Sequence, residues 1–106
     1  MNPRIPPMAP SRHSVRVSGE LRDLIPRFLA NRRSEIARLR EAGAKGDFAE
    51  ARRIGHILKG AGGGYGFDEI TRLGAEIERN AARGEDVRAP VEELAEYLEL
   101  VEVTFD

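Results

Sequence analysis

Apolar residues recur at intervals of three and four along most of this chain, in runs broken by short glycine- and aspartate-containing segments. That period is the signature of helices burying one face. Leu21, Leu24 and Ile25 open the first apolar face, with Ser18 as a cap. Pro26 lacks a donor and clashes with a preceding turn, so it should kink or restart the helix. Phe28, Leu29, Ile36 and Leu39 then carry one stripe to about Ala44, where Gly43 and Gly46 end it. Asp47 is a natural N-cap for the next helix, whose buried stripe reads Phe48, Ala51, Gly55, Leu58 and Gly62.

A third stripe reads Ile70, Leu73, Gly74, Ile77 and Ala81, stopped by Gly84. The last reads Val87, Val91, Leu94, Leu98, Val101 and Phe105, which predicts one uninterrupted final helix. Short connections between four amphipathic helices make an all-α, antiparallel up-and-down four-helix bundle the economical architecture over residues 18–106. Residues 1–17 carry four prolines and little periodicity, so a flexible N-terminal arm is expected there. Within it, His13-Ser14-Val15-Arg16-Val17 alternates like a strand. No partner strand is evident elsewhere, so an extended arm lying on the bundle is expected.

Composition narrows the function classes. The chain has 106 residues, enough for one domain with a modest core. No cysteine is present, which excludes a disulfide framework and thiolate metal sites and fits a reducing cytoplasm. Two histidines far apart argue against a histidine-rich metal site, so no metal is expected. No apolar run approaches the roughly 20 residues that span a bilayer, and the N-terminus lacks a signal-peptide core. A cytoplasmic protein without membrane contact is the expectation. The net charge of −1 combines +3 over residues 1–18 with an acidic last segment, and offers no basic surplus for nucleic acid.

The glycines break the helical pattern. Gly60, Gly62, Gly63, Gly64 and Gly66 crowd the second half of the second helix, each costing about 1 kcal/mol relative to alanine inside a helix. Either that helix ends near Gly60, or close approach of another surface offsets the cost. A nucleotide cradle does not explain them. Gly55 and Gly60 have P-loop separation, but Ala61 and Gly62 occupy the Lys and Ser/Thr places, and Tyr65 stands where a dinucleotide fingerprint needs glycine.

His56 lies on the same helix. At about 100° per residue it points roughly 200° away from buried Leu58. Arg52, Lys59, Gly60 and Gly63 share its face. A neutral imidazole is a good nucleophile near neutral pH, and exposure would let a phosphoryl donor approach in line. Lys59, one turn on, can bond phosphoryl oxygens and offset their charge. Gly60, Gly63 and Gly64 leave bare surface for the phosphoryl group and a docking protein. Arg52 and Arg53 add positive potential and are candidate partner contacts. Of 17 basic residues only Lys45 and Lys59 are lysines, which makes the lysine beside the histidine stand out.

His56-x-Leu58-Lys59-Gly60, with Gly66 ten residues after the histidine, resembles the signature of histidine-containing phosphotransfer (HPt) domains. Phe67 to Gly74, Ile77-Glu78, Leu24 to Leu29 and Asp47-x-x-x-Ala51-Arg52 extend the resemblance, which covers about residues 18–106. It implies a phosphorelay intermediate in two-component signalling. His56 would accept a phosphoryl group from a receiver-domain aspartate, or from a sensor or hybrid histidine kinase, and pass it to another receiver aspartate. It also implies no kinase activity, nucleotide site or cofactor of the domain's own, Mg²⁺ being supplied by the response-regulator receiver. A monomer is expected. Two departures stand out: Gly55 occupies a place where the family commonly has alanine, and Gly62-Gly63-Gly64 is richer in glycine than the family's pattern. The alternative is a helical adaptor that binds signalling partners without phosphotransfer.

Overall fold

A computed structural model of the chain describes residues 13–106. The expected flexibility of residues 1–12 lies outside the described residues. Strand β1, Ser14–Val17, leads into a 3-10 turn over Gly19–Leu24 whose first residues are held by Ser18, its Oγ accepting from the Glu20 amide at 3.3 Å. Helix α1, Ile25–Lys45, starts afresh with Pro26 in its first turn, where a missing N–H costs nothing. It runs through Gly43, which was expected to help end it, and stops at Gly46 in the left-handed conformation (φ 68°). Asp47 then caps α2, Phe48–Tyr65, its Oδ1 accepting from the Glu50 amide at 3.1 Å. Helices α3, Asp68–Ala82, and α4, Arg88–Leu100, follow.

Each helix packs against its sequence neighbour and α1 closes the ring against α4, giving the expected four-helix bundle. Leu39, Ile54, Leu58, Phe67, Ile70, Ile77 and Leu94 are fully buried at its centre. Phe48, expected in the buried stripe of α2, is 36% exposed because it is the first residue of the helix; Ile54 contributes the buried side chain instead.

The largest difference from the sequence reading is at the ends of the chain. The final helix stops at Leu100, and Glu102–Phe105 forms strand β2, parallel to β1 with Ser14 opposite Glu102 and Val17 opposite Phe105. Val101 turns extended (φ −64°, ψ 133°) to make the change. Val103 and Thr104 are β-branched and stiff in a helix, and strict alternation here turns Val103 and Phe105 inward while Glu102 and Thr104 face solvent. The strand expected to lack a partner thus has one. Val17, 2% exposed, joins the core, and Val15, Val103 and Phe105 pack against it.

Candidate functional site

Helix α2 continues past Gly60 to Tyr65 and ends where Gly66 adopts φ 86°. Its glycines, taken with Gly74 of α3, fall into two groups. A methyl group on Gly62 would lie 2.5 Å from Thr71 Oγ1 and 2.6 Å from the Phe67 carbonyl oxygen. One on Gly55 would lie 2.7 Å from the Glu78 amide nitrogen, and one on Gly74 would lie 2.5 Å from the Lys59 amide nitrogen. These glycines let α2 and α3 touch backbone to backbone, so close approach is what offsets their helical cost. The other group packs against nothing. Methyl groups on Gly60 or Gly64 would meet no atom within 4 Å, and one on Gly63 only Thr71 Oγ1 at 3.9 Å.

His56 and Lys59 project from α2 beside that bare surface. The His56 side chain is 68% exposed and the Lys59 side chain 42%. Both reach one carboxylate on α3: His56 Nδ1 is 3.0 Å from Glu78 Oε2, and Lys59 Nζ is 2.8 Å from Glu78 Oε1. A carboxylate only accepts, so the neutral imidazole carries its hydrogen on Nδ1 and keeps the lone pair on Nε2. The Lys59 hydrogen bond, with a lesser one from His56, holds Glu78 below the ordinary carboxylate range, against the opposing effect of burial. Thr71 steadies the same turn, donating its hydroxyl to the Lys59 carbonyl oxygen at 3.1 Å.

The sequence-predicted residues therefore share one exposed stretch of α2, with differing surroundings. Arg52 is exposed and makes no ion pair among the described residues. Arg53 is tied to Glu50 by two bonds of 2.7 and 2.9 Å. Glu78 is the residue that sequence reasoning missed. The available signal was Gly74: a glycine within a buried stripe marks a close helix approach, and the residue one turn on borders the seam.

An exposed imidazole with Nε2 free, a neighbouring ammonium and side-chain-free surface form an open platform rather than a cavity. Among the described residues no group of three or more His, Cys, Asp or Glu could hold a metal ion, and no helix is long and apolar enough to cross a membrane. The Hpt domain family matches residues 23–104, most of the chain. The chain belongs to the Hpt domain family. Hpt domains serve as histidine phosphotransfer carriers, rather than kinases, in two-component phosphorelays, and interact with receiver domains and histidine kinases. No curated protein and no solved structure gives a significant match to this Hpt domain.

Proposed function

We propose that His56 is the phosphoryl acceptor of this Hpt domain, and that it relays between receiver aspartates or from a hybrid histidine kinase. The observation that carries the reading is the Nδ1–Glu78 bond at 3.0 Å, which leaves Nε2 as the lone-pair nitrogen on an exposed ring. In transfer, Nε2 attacks the phosphorus of an aspartyl phosphate. The N–P bond forms as the P–O bond to the aspartate breaks, and the aspartate leaves as a carboxylate. Nδ1–H stays bonded to Glu78, whose charge balances the positive ring. Lys59 exchanges Glu78 Oε1 for a phosphoryl oxygen by a change of rotamer. The reverse displacement, by a second receiver's aspartate, returns the ring to its neutral state.

Such chemistry asks for no metal or cofactor on this chain; the receiver brings Mg²⁺ and much of the charge stabilisation. Gly60, Gly63 and Gly64 leave room for the receiver's active-site rim. Next to them a cleft of about 330 Å³ between α1 and α2, lined by Leu24, Phe28, Ala61 and Tyr65 among others, offers apolar surface for a transient interface. Arg52 stands one turn before His56 as a contact for an acidic partner, and Arg53 serves the same role if the partner displaces Glu50.

Incubation with a radiolabelled phospho-receiver and Mg²⁺ tests the reading. Wild type should gain acid-labile, alkali-stable label, and His56→Gln should gain none. Gly60→Glu should stay folded and lose transfer by bulk and repulsion. A folded wild type that takes no label from several phospho-receivers, yet binds them, would make the protein a binding-only adaptor.

A further inference from the structure

The two seam glycines nearest the site each touch the backbone of a different site residue. Gly55, which directly precedes His56, faces the Glu78 amide and Cα, and Gly74, one turn before Glu78, faces the Lys59 amide and the Leu58 Cβ. The contacts are reciprocal: the Gly74 carbonyl oxygen would lie 3.0 Å from a methyl on Gly55, and the Gly55 carbonyl oxygen 2.9 Å from one on Gly74. At this point the two helices are as close as their main chains allow. Neither neighbour is the end of a flexible side chain, so any Cβ here must drive the helices apart.

We infer that Gly55 and Gly74 are positioning residues for phosphoryl transfer, a notch that brings α3 near enough for the Glu78 carboxylate to hold His56 and Lys59 at once. The inference rests on His56 being the acceptor. Glu78 spans the seam with bonds of 3.0 and 2.8 Å. A separation greater by about 0.7 Å would carry both to or past the range of a hydrogen bond, about 3.5 Å. With Glu78 out of reach, no other described residue holds the Nδ1 hydrogen, and the proton is distributed between the two nitrogens. Ring orientation is lost with it, and misplacement on this scale is costly for in-line transfer. The same notch explains why glycine stands directly before the histidine: a methyl there would collide with the main chain of the residue that orients the imidazole.

Imidazole ¹⁵N chemical shifts at alkaline pH report the tautomer directly, beside phosphotransfer rates on the same samples. Wild type should show the Nδ1–H form. Gly55→Ala and Gly74→Ala should lose that preference, approach the tautomer mixture of free imidazole, and slow transfer about tenfold. Adding Glu78→Gln to either should cause no further loss, because the bond it removes is already broken. Gly43→Ala, where a methyl would sit 3.6 Å from Val87 Cγ2 in ordinary contact, should leave tautomer and rate unchanged. Folded Gly55→Ala and Gly74→Ala proteins that keep the Nδ1–H form and the wild-type rate would overturn the inference. Should both fail to fold, Glu78→Asp tests the reach with the seam intact: it should lose the preference, and retention would overturn the inference equally. Absence of label on wild-type His56 would instead remove the acceptor assignment, whatever the tautomer.

Discussion

Glu78 accepts from two side chains with one carboxylate, and its ionisation therefore has consequences for the whole site. Its folded-state pKa is lowered, chiefly by the Lys59 hydrogen bond. A lowered carboxylate contributes stability that is fully present above the unfolded value, about 4.3, and disappears as pH falls through the folded one. The stability gap between wild type and Glu78→Gln should accordingly hold from neutral pH down to about pH 5 and close below about pH 4. Denaturant titrations across that range measure it, and a gap that persists into strong acid would show the carboxylate's charge to be irrelevant. At neutral pH the site is fully formed. His56, Lys59 and the bare glycines were legible in sequence because their chemistry is local to one helix. Glu78 was not, because its reach across the seam depends on how closely two helices approach, which spacing within either helix does not reveal.

Among the helices, the same amino-acid types serve opposite ends according to what packs against them. Gly55, Gly62 and Gly74 are glycine because another backbone lies in contact, whereas Gly60 and Gly64 face open space. Composition alone could pose the two explanations, and only the α2–α3 seam assigns them residue by residue. Charged pairs divide likewise. Arg32 and Glu35 on α1 are an i,i+3 charged pair only 8% and 5% exposed, with Arg32 Nε 2.8 Å from Glu35 Oε1 and the guanidinium lying over the Phe28 ring. Glu35→Ala would leave a buried guanidinium uncompensated and should cost about 3 kcal/mol in a urea titration. Arg40→Ala, which removes the exposed bidentate pair with Glu92, should leave the midpoint nearly unchanged. Equal losses from the two would contradict the burial difference. The end of α4 escaped the sequence reading for a related reason: Val101 and Phe105 keep the helical period by coincidence, while the β-branched pair between them follows the strand's alternation.

At the scale of the molecule, the four helices are joined by short connections and pack against their sequence neighbours, with α1 and α4 closing the ring. The β1–β2 pair is the exception, binding residues 14–17 to residues 102–105 in register. Pairing over such separation is slow to form and is expected to follow the helices. Val103→Ala should thus lower stability by about 1 kcal/mol and speed unfolding roughly fivefold while leaving the folding rate unchanged. A chevron measurement separates these, and a slowed folding arm would place the ribbon in the nucleus. The expectation of an unpartnered arm failed because a four-residue strand is recognisable only with its mate, and its mate was hidden in a helical period. The order of biosynthesis gives this pair a further consequence. β1 is synthesised before the four helices and its partner after them, so the β1–β2 pairing cannot form until the bundle's helices have been made. The flank of the bundle therefore closes only after all four helices have been synthesised.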